Sequence, residues 1–546
     1  MDKHGPAVSR LVLLKHKASR RTDWAVVIAT AVPAAFLGLF FFYPLGSILE
    51  RGLTQDGGLD FPSDVFFSHE TAQIVWFTVW QAVVSTVLTL LAGMPLAWAT
   101  ARVRFRGRGL TRALVVVPFV LPTVVVATAF LTLLPTGLQR GVVPILLAHV
   151  FFNIAIVVRV VGGYWSRLDP RLWDAAATLG ASPARRFREL TLPALRPALS
   201  AAAALTFLFC FTSFGVVVIL GGPTRLTLEA AIYDEAARAF DLRAAAALAL
   251  IQLAAVAAIV TVSSRLEARA GLVAPLTSEQ AAAHSPSHRE RVALVASLFG
   301  GALLLGAPLA ALAWRSIETP DGIGLTFYRA LGRETPALLV PPWHAILNSL
   351  GYAAAATLIA LTIGGLAASV IARRSAGWLD TAVMLPLGAS AVMLGYGFVI
   401  GFDTAPLDFR GSFWIVPVVQ SLVAAPFVVR LLAPALRAVD PRLREAAAVL
   451  GAPPARVRRE IDLPLALRPL GVAAGLAFAI ALGEFGATVF LARSDHPTLP
   501  VAIFRFLGRP GAENQGVAAA LCVMLMAVTT AAVLATERLA ARHGAL

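Results

Sequence analysis

Long apolar stretches separated by short polar segments run along almost the whole chain. A helix that crosses a lipid bilayer needs about 20 predominantly apolar residues, and twelve stretches meet that requirement. The predicted spans are 24–49, 74–100, 113–134, 142–162, 198–220, 244–263, 292–314, 345–372, 381–401, 413–429, 470–491 and 517–536. The stretches are continuously apolar and do not alternate as the strands of a membrane β-barrel do. The pattern therefore predicts an all-α, polytopic membrane protein with twelve transmembrane helices.

The composition excludes a soluble protein. Hydrophobic residues make up 58% of the chain, charged residues make up 14%, and the mean hydropathy is +0.76. Soluble domains carry about a quarter charged residues, so much of this surface must face membrane lipid. Cys210 and Cys522 both lie in apolar stretches and support neither a disulfide framework nor a metal site.

The basic residues set the expected orientation. Lys and Arg total 46 against 31 Asp and Glu, a net charge of +15. If the N-terminus is cytoplasmic, twelve spans place both termini inside, and most of the 46 basic residues fall on that side, as the positive-inside rule requires. The first stretch is too long for the apolar region of a signal peptide, so we interpret it as a retained span.

The chain contains an internal duplication. When it is aligned on itself so that Asp169 meets Asp440, several other positions also match. These are Arg102 with Arg373, Gly93 with Gly364, Phe214-Gly215 with Phe485-Gly486, and Thr227-Leu228 with Thr498-Leu499. Each copy carries six spans, so the repeat is parallel and predicts a transport pathway at the interface of the halves. The predicted units are residues 1–263 and 292–546, joined by a cytoplasmic linker, 264–291.

Two cytoplasmic loops are the most similar pieces of the halves. Loop 1, residues 174–193, reads DAAATLGASPARRFRELTLP, and loop 2, residues 445–464, reads EAAAVLGAPPARVRREIDLP. Each predicts an Ala-rich helix ended by a glycine, Gly180 or Gly451. A second short helix follows, and Pro193 or Pro464 is expected to stop it at the membrane surface. Exposed loops usually vary unless something binds them, so we favour a docking element over a surface helix-turn-helix that stabilises the bundle.

The two loops resemble the EAA loop of permease subunits in binding-protein-dependent ABC importers. The residues that carry the resemblance are Asp174, Ala175, Ala176, Gly180, Leu190, Leu192 and Pro193 in loop 1, and Glu445, Ala446, Ala447, Gly451, Ile461, Leu463 and Pro464 in loop 2. Asp174 departs from the pattern because it replaces a glutamate. The resemblance implies a MetI-like permease fold of the type I importers, in a bacterial cytoplasmic membrane. It also implies two copies of an ABC ATPase subunit on the loops and an extracytoplasmic substrate-binding protein.

Two permease units in one chain are similar to the fused permeases for thiamine and for ferric iron. The phrases LLAHVFFN, FTSFGVVVILGGP, TLEAAIY and GEFGATVFL carry this similarity. The resemblance leaves the substrate open among thiamine, ferric iron and other small solutes, and the phrases are slightly closer to the thiamine type.

The chain lacks the sequence needed to hydrolyse ATP. A P-loop places a lysine on the β- and γ-phosphates, and no lysine follows Lys17. We therefore expect no catalytic residues, no cofactor and no metal in this chain, and a separate subunit that hydrolyses ATP. We expect no nucleic-acid partner, because the basic residues face anionic lipid and the docking ATPase.

A few polar and aromatic residues within the spans are candidates for the pathway. Glu484 is the carboxylate placed well inside a predicted span, and its counterpart is Ser213. Intramembrane acids are costly, so Glu484 either lines the path or is held by hydrogen bonds that keep the halves in register. Phe214 and Phe485 are candidates for a gate, although packing is the favoured role. His149 and Asn153 are one helical turn apart, and an interhelical hydrogen bond is favoured over substrate contact.

Two other classes of protein compete with the importer permease. An ion-coupled secondary transporter also uses parallel six-span repeats, but ion coupling usually employs several intramembrane ionisable groups. A membrane-embedded enzyme ranks last, because no cluster of acids, histidines or cysteines lies within the spans.

Overall fold

The computed structural model describes residues 24–55, 58–222, 225–269, 284–374, 376–403, 407–409 and 411–542, and these are mostly helical. The helices of the first half are α1 Trp24–Leu37, α2 Tyr43–Leu53, α3 Ser63–Phe66, α4 His69–Arg102, α5 Arg108–Val120, α6 Thr123–Leu133, α7 Val142–Trp165, α8 Arg171–Thr178, α9 Pro183–Arg186, α10 Leu192–Phe211, α11 Gly215–Leu220, α12 Leu228–Asp234 and α13 Leu242–Arg269. Those of the second half are α14 His288–Arg315, α15 Thr326–Ala330, α16 Trp343–Arg374, α17 Gly377–Gly388, α18 Ala391–Gly401, α19 Ile415–Arg437, α20 Pro441–Val449, α21 Pro454–Val457, α22 Leu463–Gly483, α23 Thr488–Leu491, α24 Leu499–Leu507 and α25 Ala512–Arg542. Two small antiparallel hairpins pair β1 Thr54–Gln55 with β2 Gly58–Leu59, and β3 Glu318–Thr319 with β4 Gly322–Ile323.

The all-α, polytopic fold is confirmed, but two predicted spans are not straight helices. In the described residues, ten helices are long and apolar enough to cross a membrane, or up to twelve if each of two bent pairs is one span. The third predicted span is α5 and α6, bent by 100°, and the ninth is α17 and α18, bent by 97°. Pro122 pushes Leu121 into an extended conformation at the first bend. At the second bend, Ser390 starts a new helix by accepting a hydrogen bond from Met393 N at 3.1 Å.

The predicted bounds of two further spans are wrong at both ends. The fifth and eleventh spans were predicted as 198–220 and 470–491, whereas the helices are Pro183–Phe211 and Pro464–Gly483. The residues beyond Phe211 and Gly483 leave the helix and form the separate short helices α11 and α23. Hydropathy does not register these breaks, because the segments on both sides are equally apolar. The tenth span is longer than predicted and reaches Arg437.

The halves repeat their contacts as well as their sequence. Thr78 Oγ1 accepts a hydrogen bond from Leu228 N at 3.0 Å, and the counterpart Ser349 Oγ accepts one from Leu499 N at 2.6 Å. These bonds fix the re-entering helices α12 and α24 against the first long helix of the core of each half. The internal duplication is therefore present at the level of individual hydrogen bonds.

A small residue at the same place in both halves lets two long helices touch. A Cβ added at Gly93 would lie 2.7 Å from Val157 Cβ, and one added at Gly364 would lie 2.9 Å from Val428 Cβ. Small residues at helix crossings allow such close approach in membrane proteins. The predicted counterparts Gly93 and Gly364 thus hold α4 against α7 and α16 against α19.

We expect Gly364→Ala to destabilise the protein and Gly365→Ala to leave it unchanged or slightly more stable. The new methyl group at 364 meets Val428 and the Ala425 carbonyl oxygen at 3.1 Å or less, whereas at 365 nothing lies within 4 Å. Overpacking of this kind costs about 1–3 kcal/mol. Thermal unfolding of the purified variants in detergent checks this. Equal midpoints for the two neighbouring variants would contradict the tight crossing.

The first span of each half packs on the other half. Helix α1 packs on α16 of the second half, and α2 packs on α18 as well as on α13 of its own half. A Cβ added at Gly397 in α18 would lie 3.1 Å from Pro44 Cβ in α2. Reciprocally, α14 packs on α4 and α6 of the first half, and a Cβ at Gly301 would lie 2.9 Å from Leu96 Cδ1. The halves therefore exchange their first helices and do not meet at a single flat interface.

Candidate functional site

Loop 1 begins with a short helix that Gly180 ends. Asp169 Oδ1 accepts a hydrogen bond from Arg171 N at 3.0 Å at the start of α8. At the other end, Gly180 N donates to the Ala177 carbonyl at 3.0 Å and Ala181 N donates to the Ala176 carbonyl at 3.0 Å. This is a Schellman motif, and it requires the left-handed backbone that Gly180 adopts at φ +80°.

Loop 2 has the same geometry. Gly451 lies at φ +79°, and Gly451 N donates to the Ala448 carbonyl at 3.0 Å. Ala452 N donates to the Ala447 carbonyl at 3.0 Å. After the glycine, both loops contain a matching ion pair, Arg185 with Glu189 at 3.0 Å and Arg456 with Glu460 at 2.9 Å. The two loops therefore have matching geometry, and the predicted C-cap role fits both glycines.

The second short helix of each loop was predicted wrongly. In loop 1, α9 passes through a π-helical turn, Phe187–Thr191, directly into α10, so that Pro183–Phe211 is one continuous helix. Pro193 lies near the start of α10 and does not stop the helix, because a proline in the first turn after the π-turn is tolerated. Loop 2 follows the same course through Arg458–Asp462 into α22. Gly180 therefore lies where α8 joins the long helix that includes α10, and Gly451 lies where α20 joins the one that includes α22.

The short helices present apolar side chains that nothing in the described structure covers. Leu179 is 87% exposed, Val449 is 87% exposed and Leu450 is 86% exposed. The acids of the motif, Asp174 and Glu445, are exposed beside them. The remaining predicted loop residues are exposed (Ala175, Ala446, Leu192 and Pro464) or half-buried (Ala176, Ala447, Leu190, Ile461 and Pro193), and the side chain of Leu463 lies outside the described residues. Exposed apolar residues grouped in this way mark an interaction surface.

The halves meet at a cluster of aromatic rings. The rings of Phe214 and Phe485 are stacked, with centroids 5.3 Å apart. A residue that touches its own repeat counterpart lies on the pseudo-two-fold axis, where the sequence predicts the pathway. Tyr233 packs on Phe214 at 5.4 Å and 61°, and its counterpart Phe504 packs on Phe485 at 5.3 Å and 62°.

We call these four residues, with Phe490, the ring cluster. Phe490 packs on Tyr233 at 5.4 Å. Tyr233 and Phe504 were not predicted as site residues. The signal was available, because the alignment that pairs Phe214 with Phe485 also pairs Tyr233 with Phe504. The cluster lies just beyond the ends of the helices at Phe211 and Gly483.

The carboxylate of Glu484 is hydrogen-bonded to the backbone that follows it. Its Oε1 accepts a hydrogen bond from Ala487 N at 2.7 Å, and its Oε2 accepts one from Thr488 N at 3.0 Å. The carboxylate therefore caps the start of α23, next to Phe485. This geometry favours the structural alternative for Glu484. Its counterpart Ser213 is buried at the equivalent break.

His149 and Asn153 join helices of the first half. His149 Nδ1 is 2.9 Å from Ser85 Oγ on α4. Asn153 Nδ2 donates to the His149 carbonyl at 2.9 Å and to Cys210 Sγ on α10 at 3.4 Å. The contacts support the interhelical role over contact with a substrate.

A second buried carboxylate was missed by the sequence analysis. Glu229 lies in α12, outside every predicted span, and its side chain is 1% exposed. It bonds to Gln252 of its own half and to Ser390 of the other half. Hydropathy gave no signal for it, since the segment that re-enters the protein at α12 is too short to be predicted as a span.

Comparison with known proteins gives one family, matched twice. Residues 91–269 and 360–543 each match the sequence model of the family described as "Binding-protein-dependent transport system inner membrane component". The two matched segments fall one in each half and include loops 1 and 2.

Individual relatives match the chain over nearly its whole length. The "Thiamine transport system permease protein ThiP" of Brucella abortus strain 2308 is 31% identical, over 96% of this chain and 98% of the relative. The proteins of the same name from Escherichia coli K12 and Salmonella typhimurium LT2 are 28% identical, covering 92% and 95% of this chain and 92% and 96% of the relatives. The chain is thus similar to these proteins in both halves.

Proposed function

The chain belongs to the family of binding-protein-dependent transport system inner membrane components, and we propose that it is the permease of a thiamine importer. It is a multi-pass protein of the inner membrane with two ABC permease units fused in one chain. The observation that carries the substrate is the match to thiamine permeases over both halves. The relatives named here favour thiamine over ferric iron.

Two copies of a separate ATPase subunit dock on loops 1 and 2 in this proposal. The exposed Leu179 and Leu450, next to Asp174 and Glu445, supply an apolar centre with an acidic edge at two equivalent places. The chain has no P-loop lysine, so hydrolysis belongs to the partner. A substrate-binding protein delivers thiamine from the opposite side, with both termini of the permease in the cytoplasm.

The structure suggests how movement at the loops reaches the pathway. Each short helix is joined through one glycine to a continuous helix that ends near the ring cluster, at Phe211 in the first half and Gly483 in the second. When the ATPase subunits close on ATP, they draw the loops together, and the long helices turn as rigid bodies. The stacked rings of Phe214 and Phe485 then separate and open the interface. Hydrolysis lets the rings pack again.

Reconstitution tests the proposal directly. The permease, its ATPase and its binding protein are placed in proteoliposomes, and uptake of radiolabelled thiamine is measured with and without ATP. We expect thiamine uptake only when both ATP and the binding protein are present. Uptake of ferric iron in place of thiamine would overturn the substrate. Uptake driven by an ion gradient without ATP would favour the secondary transporter.

We expect Leu179→Asp combined with Leu450→Asp to prevent co-purification of the ATPase subunit. A charge at the centre of each docking surface must be desolvated on binding, which costs several kcal/mol. The matched control is Leu339→Asp, which changes a side chain that is 74% exposed, on the opposite side of the predicted topology. Pull-down with a tagged permease measures the bound ATPase. Unchanged binding by the double variant would contradict docking on these loops.

A further inference from the structure

Glu229 is a buried carboxylate present in one half only. The repeat counterpart of Glu229 is Pro500, and the counterpart of its partner Gln252 is Val523. The hydrogen bonds at Thr78 and Ser349, the crossings at Gly93 and Gly364 and the ring pairs all occur twice. The second half therefore builds the same fold with apolar residues at these two positions.

Both oxygens of Glu229 are bound by neutral groups. Gln252 Nε2 donates to Oε1 at 3.0 Å, and the Ser390 hydroxyl donates to Oε2. Gln252 Oε1 is buried and has no hydrogen-bond partner. Within the described parts of the chain, no arginine, lysine or histidine forms an ion pair with Glu229. A buried carboxylate without a cation is costly and marks a functional position in membrane proteins.

The position of Glu229 links it to the pathway. Glu229 and Tyr233 are four residues apart in α12, so they lie on one face of that helix. Tyr233 belongs to the ring cluster and packs on Phe214 and Phe490. Ser390 lies at the bend between α17 and α18, in the other half. The bond from Ser390 to Glu229 therefore crosses the interface that must open.

Opening the interface changes the surroundings of Glu229 in a definite way. In the opening described under Proposed function, Gln252 would move with Glu229, because both belong to the first half, whereas Ser390 would move with the second half. Oε2 then loses its donor just as the rings of Phe214 and Phe485 separate. A carboxylate and the faces of aromatic rings together favour an organic cation, through charge attraction and cation–π contact.

We propose that Glu229 is the transient counter-charge for the thiazolium cation of thiamine as it passes the opened ring cluster. The proposal rests on the proposed function, since it requires a cationic substrate. In the closed state, the Ser390 hydroxyl donates a hydrogen bond to Glu229 Oε2. In the open state, the cation faces this oxygen instead. Glu229 is thus a specificity-determining residue of the pathway, whereas Glu484 is held by its own backbone.

The test compares three variants of the full chain, each assembled with ATPase and binding protein in proteoliposomes. Glu229→Gln keeps the shape and one acceptor oxygen but removes the charge and replaces the other oxygen by an amide donor, Glu229→Asp keeps the charge, and Ser390→Ala removes the bond across the interface. We expect Glu229→Gln to lower the maximal rate of thiamine uptake by about tenfold or more, as loss of a charge partner does. ATPase activity stimulated by loaded binding protein should stay within about twofold of wild type.

The controls separate a pathway role from a structural one. We expect Glu229→Asp to recover part of the uptake and Ser390→Ala to retain it, and the concentration of loaded binding protein that gives half-maximal uptake to stay unchanged in all three. Uptake by Glu229→Gln at the wild-type rate would overturn the role of Glu229 but not the proposed function as a thiamine permease. Equal loss of uptake and of stimulated ATPase activity in Glu229→Gln and Ser390→Ala would overturn it in favour of a structural bond. Absence of thiamine uptake by the wild type would instead overturn the proposed function.

Discussion

Valine in place of both Gly180 and Gly451 is expected to lower ATP-driven uptake strongly. Both glycines adopt a left-handed backbone, at φ +80° and +79°, and a residue with a side chain pays about 1–2 kcal/mol there. A β-branched residue relieves this strain by leaving the left-handed region, which breaks the Schellman motif and changes the angle between short helix and span. Two such sites together cost enough to lower uptake by about tenfold or more. Uptake assays in proteoliposomes measure the loss.

The control for this prediction is Gly107→Val. Gly107 also has a left-handed backbone, at φ +91°, with nothing within 4 Å of an added Cβ, and it lies between α4 and α5, outside loops 1 and 2. The same strain there should leave uptake close to wild type. Asparagine tolerates the left-handed region, so Gly180→Asn with Gly451→Asn should restore much of the activity. Equal activity of the double valine variant and the Gly107→Val control would refute the role of the two joints.

Alanine in place of both Phe214 and Phe485 is expected to make the permease leak. The two rings stack on the pseudo-two-fold axis with centroids 5.3 Å apart, and both side chains are buried. Removing a buried phenylalanine ring costs about 3–5 kcal/mol of packing, and here the lost packing is what holds the interface closed. We expect thiamine to leave preloaded proteoliposomes without ATP or binding protein. Efflux of radiolabelled thiamine measures this.

A second pair of buried rings provides the matched control. Phe130 and Phe151 pack edge to face at 5.8 Å within the first half, and both are buried. Phe130→Ala with Phe151→Ala should lower the thermal unfolding midpoint as much as the axial double variant does, but without efflux. Efflux from both double variants would mean that leakage follows general loss of packing. If neither double variant releases thiamine, the ring cluster does not hold the interface closed.

Most of the fold could be predicted from the sequence, because membrane-spanning helices are recognisable by their length and apolar composition. The duplicated loops were predictable too, since the glycine at the end of each Ala-rich run fits one backbone geometry. The wrongly predicted helix bends and ends have two causes. At Leu121-Pro122 and Ala389-Ser390 the chain bends sharply within an apolar stretch, and hydropathy is equally high on both sides of the bend. In loops 1 and 2, proline suggested a helix end, but a π-turn carries the helix past it.

The residues that close the interface could be predicted only in part. Phe214 and Phe485 stand out because they repeat, and the same alignment offered Tyr233 and Phe504. Glu229 offered no such signal, because its partners Gln252 and Ser390 are distant in the chain and have no counterparts with matching chemistry. A contact that breaks the repeat becomes visible only once the halves are folded together.

The exchanged first helices determine the order in which the protein can be completed during synthesis. The segment 24–53 is synthesised long before the helix on which α1 packs, α16, which ends at Arg374. At roughly 10 residues per second of translation, about half a minute passes before that surface exists. For about the first 20 seconds of that time α13 of its own half does not exist either, because it ends at Arg269, and afterwards the segment 24–53 has only part of its final contacts. The final docking of segment 24–53 is therefore a late event, and the cell must keep this strongly apolar segment from pairing with the wrong neighbour until the second half arrives.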